Sequence, residues 1–171
     1  MCDIDGCLTN GGYFVSTEHN PSGYSRQFNT SDFVGIEALE KSGMKVAALT
    51  GSMSPCLAQF DRAAPFMKVH SGVFEKLEFV YENYVETDEY NWKEIAFMGD
   101  ELNDGRLLSK VGLAACPADA APEVIKIVEN HENGFVMTRK GGHRAVREFT
   151  DLIRKMMDIP ARWGDWVYPG E

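Results

Sequence analysis

The sequence predicts a doubly wound α/β fold, with one parallel sheet that is covered by helices on both faces. Short apolar segments alternate with amphipathic ones along the chain, as they do where helices connect parallel strands. Several apolar segments end directly at Asp or Thr, which places polar side chains at one edge of the sheet. The 171 residues, of which 44% are apolar, suffice for one domain with a substantial core. We therefore expect a single Rossmann-like domain over 1–171, with a C-terminal tail at 158–171.

The N-terminal part of the chain predicts a short β-hairpin followed by a helix. Aromatic and β-branched residues in 13–16 and 24–28 flank the turn-rich segment 17–23, a pattern typical of two antiparallel strands. We expect this hairpin to form an insertion at 10–31, directly after the first strand of the sheet. The segment 32–42 then has the apolar spacing of a helix.

The middle of the chain predicts two strands, each followed by a helix. The continuous apolar run 45–51 is typical of a strand that is buried on both faces. Ser54-Pro55 is a typical helix start, so we expect a helix that runs toward Arg62. A weaker strand at 66–69 leads into a second amphipathic helix, which ends at Glu86.

The second half of the chain continues this alternation. The segment 94–100 predicts a strand that ends in an acid, and 102–112 predicts a short helix. A strand follows at 113–116, the next helix begins at Pro122, and 135–138 is a late strand. The last helix has an apolar stripe that we expect to face the core: Val146, Phe149, Ile153 and Met156.

The charge and composition of the chain argue against several classes of partner. The formal net charge is -9 and no long Lys or Arg cluster offsets it, so we expect no nucleic-acid partner and no anionic membrane surface. No apolar run has the length of a membrane span, and the N-terminus lacks the pattern of an export signal, so we expect a cytoplasmic protein. The cysteines are scattered without a CxxC pair, and we interpret them as small buried side chains: Cys2, Cys7, Cys56 and Cys116.

Polar residues stand at the ends of the predicted strands. Asp3 and Asp5 flank a single Ile at the start of the chain, Thr50 and Asp100 end two later strands, and Lys76 begins a helix. From the first stretch alone, an ordinary turn or a solvated surface explains the two acids equally well. Because parallel strands bring their carboxyl ends to one edge, we expect all five residues to meet there. Carboxylate oxygens are the ligands that Mg²⁺ prefers, so the acids predict a Mg²⁺ site.

The same residues have the chemistry of phosphoryl transfer. With a metal ion screening its charge, the Asp3 carboxylate can attack phosphorus and form an aspartyl phosphate. Asp5 can protonate the leaving alkoxide and then take a proton from the water that cleaves the intermediate. Thr50 and Lys76 can hold the phosphoryl oxygens where negative charge develops.

Four segments, taken in order, resemble the four motifs of the haloacid dehalogenase superfamily of phosphatases: DIDGCLT, ALTG, Lys76 and MGDELND. The resemblance implies that Asp3 is the nucleophile and Asp5 the acid and base, and that Mg²⁺ is bound by Asp3, the backbone carbonyl of Asp5, and Asp100. It implies that three residues bind phosphate: Thr50, Gly51 and Lys76. Two further residues stand where the superfamily keeps support for the metal and the lysine: Asn103 and Asp104.

A narrower resemblance covers nearly the whole chain and rests on three longer segments: RQFNTSDFVGIEAL, GDELNDGRLLSKVGLAACPADA and RKGGHRAVREF. They are similar to the capless subfamily of 3-deoxy-ulosonate phosphate phosphatases, to which the phosphatase-like domains of some CMP-sialic acid synthetases also belong. The resemblance implies a sugar acid phosphate as substrate, no cap domain, and Asp32 in the substrate pocket. It also implies that a segment near the end reaches the site of a neighbouring subunit: Arg139, Lys140, Gly141 and Gly142.

The absence of a cap also predicts an oligomer. The hairpin is the only segment between Asp5 and Asp32 that could cover the substrate, and a single subunit would leave the sugar exposed to water. Hairpin strands with Tyr13 and Phe14 present apolar side chains that neighbouring subunits would bury. We therefore expect a homotetramer with active sites shared between subunits.

The chain departs from the subfamily pattern at three positions. Ser52 stands where Arg or Glu is common and helps to select the sugar, so we expect Ser52 in the substrate site. His143-Arg144 replaces the usual Arg-Gly and alters a contact to the substrate carboxylate. Asp3 lies only two residues from the start, where a longer strand is usual, so we expect a trimmed start or a domain of a longer chain.

Two alternatives stand beside the phosphatase. A phosphorelay receiver domain also combines strand-end acids, a Thr and a Lys, but it pairs adjacent acids and gives no role to GDELND. The stronger alternative is a catalytically weak oligomerisation domain related to CMP-sialic acid synthetases. Because Asp3, Asp5, Lys76 and Asp100 are all present, we favour a Mg²⁺-dependent enzyme. It would hydrolyse the phosphate monoester of a 3-deoxy-ulosonate, either an octulosonate 8-phosphate or a nonulosonate 9-phosphate.

Overall fold

The computed structural model of the chain describes residues 1–15, 24–54, 57, 60, 64–163 and 166–167. Within them the strands are β1 (Phe14–Val15), β2 (Tyr24–Ser25), β3 (Ala47–Leu49), β4 (Lys68–His70), β5 (Ala96–Met98), β6 (Leu113–Cys116), β7 (Gly134–Val136), β8 (Arg162–Trp163) and β9 (Trp166–Val167). The α-helices are α1 (Thr30–Glu40), α2 (Lys76–Val80), α3 (Gly105–Leu108), α4 (Pro122–Glu129) and α5 (Ala145–Met156). Other helical turns cover Ile4–Leu8, Tyr81–Val85, Trp92–Glu94 and Leu102–Asp104. In this described part of the chain, no helix has the length and apolar character needed to cross a membrane.

The main sheet is parallel and is centred on the start of the chain. Strand β3 pairs with β4, β5 pairs with β6, and β6 pairs with β7, all in parallel. Cys2 joins the two groups, because it forms parallel bridges to Ala48 of β3 and to Met98 of β5. The resulting order is β4, β3, Cys2, β5, β6, β7. Asp3 therefore leaves the sheet at the middle of its carboxyl edge.

Helices cover both faces of this sheet, which confirms the doubly wound prediction. Ala48 and Met98 belong to a core cluster that also contains residues of α1 and α5. Leu49 and Phe97, their neighbours on the same strands, belong to a second cluster with residues of α2, α3 and α4. Since neighbouring residues on a strand point to opposite faces, the two clusters lie on opposite sides of the sheet.

Helix boundaries differ from the predicted ones for local reasons. Helix α1 begins at Thr30, two residues earlier than predicted, because the side chain of Asn29 accepts the backbone N–H of Ser31 and caps the helix. The predicted helix at 102–112 divides into the turn Leu102–Asp104 and the short α3. In α5 the prediction for Met156 was wrong: it is 55% exposed, because it is the last residue of the helix, whereas the rest of the stripe is buried.

The insertion after the first strand is a hairpin, as predicted. Strands β1 and β2 pair in antiparallel fashion, with Phe14 opposite Ser25. The predicted turn at 17–23 lies outside the described residues, as does most of the predicted helix from Ser54 toward Arg62. The C-terminal tail contains a second small antiparallel pair, β8 with β9, which the sequence pattern did not predict.

The described cysteines are free and buried, as predicted: Cys2, Cys7 and Cys116. Burial raises the pKa of both Cys2 and Cys116 to about 12 and the pKa of Cys7 well above its usual range. Because the thiolate is the reactive form, these side chains act as small apolar residues of the core. Cys56 lies outside the described residues.

Candidate active site

The predicted strand-end residues meet at the carboxyl edge of the sheet. Asp3 follows the central Cys2, Thr50 follows β3, and Asp100 follows β5 after one glycine. Lys76, the first residue of α2, extends into the same region. The topology therefore brings residues from four separate segments together, as parallel strands in an open sheet allow.

Lys76 forms the buried centre of this site. Its Nζ lies 2.9 Å from Asp3 Oδ1 and 2.5 Å from Asp104 Oδ1, and its side chain is fully buried. Burial disfavours the charged ammonium group, but the two carboxylates outweigh burial and raise the pKa of Lys76. Lys76 is therefore a fixed positive charge directly beside the Asp3 carboxylate.

Asp104 holds the Lys76 side chain in place. While its Oδ1 accepts from Lys76, its Oδ2 accepts the backbone N–H groups of Asp100 and Glu101, at 3.0 and 3.3 Å. Asp104 is fully buried, so these contacts with Lys76 and the two backbone groups take the place of hydration. Asn103, the other predicted supporting residue, is exposed on the same turn.

Three carboxylates are close enough to share a cation. Asp3, Asp100 and Asp104 each offer an oxygen, and these atoms lie within 4.8 Å of one another. Burial raises the pKa of Asp100 to about 8, and the charges of Asp3 and Asp104 add to the effect. Burial likewise raises the pKa of Asp3 to about 6, although Lys76 opposes the increase. The cluster carries more negative charge than Lys76 balances, so a bound cation would relieve the repulsion.

The donor set fits Mg²⁺, which prefers oxygen ligands and is usually held by only one or two carboxylates. Because Asp104 is occupied by Lys76 and the backbone, Asp3 and Asp100 are the carboxylates that would hold the ion. Gly6 makes room beside Asp100: its φ is +97°, and a Cβ there would lie 1.9 Å from Asp100 Oδ2. Only glycine is compatible with this approach of the loop to the carboxylate.

Asp5 lies apart from the three clustered carboxylates and pairs with Arg26. The Nε and Nη2 atoms of Arg26 donate to Asp5 Oδ1 and Oδ2 at 2.6 and 2.9 Å. The same Nη2 donates to Ser52 Oγ at 2.9 Å. The sequence did not single out Arg26, because its only signal was a basic residue beside the hairpin. The predicted role of the Asp5 carbonyl in metal binding stays a prediction.

The segment after β3 lies beside these acids. Thr50 is buried and its Oγ1 accepts the backbone N–H of Ser52 at 3.0 Å, which tightens the turn. Gly51 lies against the ring of Phe74, since a Cβ on Gly51 would be 3.3 Å from that ring. Thr9, a further member of the first motif, is fully buried and its hydroxyl donates to the carbonyl of Ile4 at 3.3 Å.

Asp32, which is predicted to line the substrate pocket, is buried where α1 meets α5. It is fully buried, and its Oδ1 accepts the backbone N–H of Arg147 near the start of α5 at 2.7 Å, while Oδ2 is buried without a hydrogen bond. Burial raises the pKa of Asp32 to about 6, although the hydrogen bond from Arg147 opposes the increase. The carboxylate therefore joins α1 to α5 and is not accessible to solvent, and its role in a substrate pocket stays a prediction.

The Gly-Gly segment near the end contacts the loop after Asp5 in the same chain. The N–H of Gly142 donates to the carbonyl of Cys7 at 2.9 Å, and a Cβ on Gly141 would lie 1.8 Å from the carbonyl oxygen of Gly6. Arg139 and Lys140, just before the glycines, are exposed. The glycines thus permit a close backbone approach within one subunit, and a contact with a neighbouring subunit stays a prediction.

Comparison with known proteins agrees with this fold. No family model matches the chain. The chain is 30% identical over 158 residues to 3-deoxy-D-manno-octulosonate 8-phosphate phosphatase from Yersinia pestis, over 92% of this chain and 80% of that protein. It is 32% identical over 155 residues to N-acylneuraminate cytidylyltransferase A from Danio rerio, over 90% of this chain but only 34% of that longer protein.

Solved structures of similar proteins have the same fold. The crystal structure of 3-deoxy-D-manno-octulosonate 8-phosphate phosphatase from Yersinia pestis superimposes with a TM-score of 0.81 and 29% identity, over 92% of this chain and 80% of that chain. The cobalt-bound deoxy-D-mannose-octulosonate 8-phosphate phosphatase from Haemophilus influenzae gives a TM-score of 0.77 and 26% identity, over 92% of this chain and 84% of that chain.

The fold is therefore that of the haloacid dehalogenase superfamily of phosphatases. Within that superfamily, the chain belongs to the 3-deoxy-D-manno-octulosonate 8-phosphate phosphatase family. It is a phosphoric monoester hydrolase, and the predictions of fold, family and enzyme class are confirmed.

Proposed function

We propose that this protein is a Mg²⁺-dependent phosphatase that hydrolyses the phosphate monoester of a 3-deoxy-ulosonate through an aspartyl phosphate on Asp3. The observation that carries the proposal is the buried Lys76, which lies between Asp3 and Asp104 with the Asp100 carboxylate beside them. A simple buried ion pair has two charged groups, whereas this centre has four. A site for a cation and a phosphate accounts for all of them.

Asp3 is the proposed nucleophile. Its carboxylate lies at the centre of the carboxyl edge, and Lys76 Nζ lies 2.9 Å from one of its oxygens. Attack by Asp3 on phosphorus forms a carboxyl–phosphate bond and breaks the bond to the sugar oxygen. Water then attacks the same phosphorus and releases inorganic phosphate and the free carboxylate.

Lys76 and Thr50 have the proposed task of holding phosphoryl oxygens. Lys76 is charged and fixed before substrate binds, so it can stabilise developing negative charge without reorganisation. Mg²⁺ held by Asp3 and Asp100 would add Lewis-acid stabilisation of the phosphate charge. Asp104 takes part indirectly, because it keeps the Lys76 side chain in place.

Asp5 is the proposed acid and base. It is two residues from Asp3, and its side chain is 30% exposed on the side of the site that Ser52 also lines. A proton from Asp5 would neutralise the alkoxide of the departing sugar, which is a poor leaving group. In the second step Asp5 would accept a proton from the attacking water.

The proposed substrate is an octulosonate 8-phosphate, with a nonulosonate 9-phosphate as the alternative sugar acid. The chain covers 80% of the relative from Yersinia pestis, and that protein is named as a phosphatase of 3-deoxy-D-manno-octulosonate 8-phosphate, which supports the octulosonate as the first choice. Arg139, Lys140 and Ser52 are the proposed contacts to the sugar acid. Asp32 would need to become accessible before it could take part.

A second candidate function comes from the cytidylyltransferase relatives. The chain matches about a third of N-acylneuraminate cytidylyltransferase A from Danio rerio, so it could correspond to an oligomerisation domain with weak activity. The cluster of carboxylates with its buried lysine supports the phosphatase over this second candidate. A domain that only forms oligomers has no need of such a cluster.

Oligomerisation itself remains part of the proposal. The hairpin presents Tyr13 and Phe14 with 55% and 72% exposure, and β7 presents Phe135 and Val136 near its end. Burying these side chains between subunits would stabilise a homotetramer. Light scattering should give several subunits per particle. Mixing Asp3→Asn and Lys140→Ala chains should restore activity if sites are shared, whereas a fully active monomer would contradict the tetramer.

The test of the function is a screen of phosphate esters with purified protein and Mg²⁺. We expect octulosonate 8-phosphate or nonulosonate 9-phosphate to be hydrolysed far faster than a hexose phosphate, and chelation to abolish turnover. Recovery with Zn²⁺ but not Mg²⁺ would contradict the oxygen-ligand site. An inactive protein that still assembles into oligomers would favour the second candidate.

A further inference from the structure

Two carboxylates hold the backbone of a segment near the end of the chain, 139–142. Asp119, in the loop after β6, accepts the backbone N–H of Gly141 at 2.9 Å. Glu148, in the first turn of α5, accepts the backbone N–H of Arg139 at 3.1 Å. Glycine has more conformational freedom than any other residue, so these contacts have most effect at the glycines of the segment. They restrict a segment that would otherwise be flexible.

Backbone contacts place the same segment beside the carboxylate cluster. The N–H of Gly142 donates to the carbonyl of Cys7 at 2.9 Å, and Gly141 lies against the carbonyl of Gly6. Gly6 in turn lies against the Asp100 carboxylate. The segment therefore borders the proposed site, and its backbone is held from two sides.

The cationic side chains of the segment have no acidic partner. Arg139 and Lys140 are exposed, and within the described residues neither forms an ion pair. Asp119 and Glu148 accept from backbone N–H groups of the segment and not from these side chains. The two positive charges therefore remain available to an anionic ligand.

The proposed substrate needs such charges at a distance from the reacting groups. The carboxylate of an octulosonate 8-phosphate lies at the opposite end of the sugar from its phosphate. Groups that recognise this carboxylate have to lie away from Asp3 and Lys76, at the border of the site. The segment has the charge and the location for this task, and its affinity depends on how well its backbone is ordered before the substrate binds.

We infer that Asp119 is a positioning residue, which fixes the backbone of 139–142 so that its two cations are in place for the carboxylate of the sugar acid. The inference rests on the proposed function, since it takes a sugar acid phosphate as the substrate and Arg139 and Lys140 as its contacts. It holds for a site in the same subunit and for one in a neighbour, because Asp119 and Gly141 belong to one chain. Asp119 acts through the segment and contacts no reacting group.

The first experiment compares octulosonate 8-phosphate with a hexose phosphate in steady-state kinetics. Asp119→Ala should raise KM for the sugar acid phosphate by about tenfold, because the backbone then has to be ordered when the substrate binds. Its kcat should change by less than about twofold, since the reacting groups are unaffected. For the hexose phosphate, which has no carboxylate, both constants should stay close to those of the wild type. Asp119→Asn keeps an acceptor for the N–H of Gly141 and should have a KM close to that of the wild type.

A double-mutant cycle tests whether Asp119 acts through the two cations. In a chain that carries both Arg139→Ala and Lys140→Ala, KM for octulosonate 8-phosphate should already be raised. Adding Asp119→Ala to that chain should change KM by less than about twofold, because no cationic side chain is left to position. A further large rise in KM would show that Asp119 acts by another route and would overturn the inference.

The matched control is Asn91→Ala. Asn91 is also exposed and its side chain accepts a backbone N–H, that of Lys93 at 3.0 Å, but it precedes β5 at the opposite edge of the sheet. This variant should have the KM of the wild type for both substrates. Amide hydrogen exchange gives a readout that is independent of activity: exchange at Gly141 should be faster in Asp119→Ala than in the wild type, and unchanged in Asp119→Asn.

Two results would overturn the inference alone. One is an unchanged KM for octulosonate 8-phosphate in Asp119→Ala. The other is an equal rise in KM for both substrates, which would make Asp119 a general support of the fold. If instead the wild type shows no preference for a sugar acid phosphate over a hexose phosphate, the proposed function fails and the inference with it.

Discussion

The centre and the rim of the site are built in different ways. At the centre, Lys76, Asp3 and Asp104 are buried and held by contacts within the core of one chain. At the rim, Arg139 and Lys140 are exposed, and their positions are not fixed by the core. The difference indicates that contacts within the core hold the proposed reacting groups in place, whereas the proposed recognition of the sugar acid relies on exposed side chains.

The largest expected effect is the loss of the nucleophile at the centre. Asp3→Asn should lower turnover by about 10⁴-fold or more, because no other group can form the intermediate. Circular dichroism should show an intact fold. The control Asp151→Asn changes a carboxylate on α5 outside the site and should have a turnover close to that of the wild type. Substantial turnover by Asp3→Asn would rule out Asp3 as the nucleophile.

The second largest effect is the loss of stability when a buried cation is removed, compared with the loss when an exposed one is removed. Lys76→Met leaves Asp3 and Asp104 buried without their cation and should lower the free energy of unfolding by about 3–5 kcal/mol. Arg106→Met removes an exposed cation that pairs with Glu75 and Glu78, and should cost about 0–1 kcal/mol. Urea unfolding measures both. If both variants lose a similar free energy of unfolding, the buried ion pairs of the centre contribute no more to stability than exposed ones.

The third prediction concerns the pH dependence of metal binding at the centre. The pKa of Asp100 is raised to about 8 without metal, so a proton competes with Mg²⁺ for this carboxylate below that pH. The apparent Mg²⁺ affinity should fall by about tenfold for each pH unit below 8, and Mg²⁺ should raise Tm more at pH 8 than at pH 6. Asp100→Asn should remove most of this dependence, whereas a flat profile in the wild type would contradict the raised pKa.

The smallest effect concerns Asp32, which lies outside the centre. Its pKa is raised to about 6 in the folded protein, so folding favours its protonated form. This contribution is fully present below the unfolded pKa near 4 and is lost as pH rises through 6. Asp32→Asn should therefore be more stable than wild type at pH 7 by roughly 1–2 kcal/mol, because it buries no charge and keeps an acceptor for Arg147.

Chemical denaturation at several pH values tests this prediction. The wild type should lose stability relative to Asp32→Asn between pH 4 and pH 7. Asp158→Asn, an exposed change beyond α5, serves as the control and should follow the wild type. If Asp32→Asn is less stable than the wild type at every pH, the charged carboxylate of Asp32 stabilises the folded protein, which would contradict the prediction.

The arrangement of the central residues was predictable from the sequence because it depends on local patterns. Parallel strands end at one edge, so the positions of Asp3, Thr50 and Asp100 at strand ends were sufficient to bring them together. Lys76 at a helix start and Asp104 beside a strand end follow from the same alternation of elements. These contacts can be predicted from the order of the elements and the direction of the strands alone.

The remaining contacts depend on how distant elements pack, and the sequence carries little signal for that. Asp32 is buried because α1 packs against α5, a contact between segments about 115 positions apart. Arg26, which follows β2, contacts Asp5, a residue 21 positions earlier in the chain. Gly141 and Gly142 approach the loop after Asp5 in the same chain, a contact between segments that lie far apart in the sequence.

In the proposed mechanism the phosphoryl group passes through a covalent bond to Asp3, and the stereochemistry at phosphorus distinguishes this route from direct attack by water. The substrate would be a phosphate ester made chiral with oxygen isotopes, or a thiophosphate analogue of it. Two successive in-line displacements, first by Asp3 and then by water, each invert the configuration, so we expect net retention in the released phosphate. Net inversion would mean that water attacks the substrate directly, and that the buried lysine and carboxylates serve a mechanism without an aspartyl phosphate.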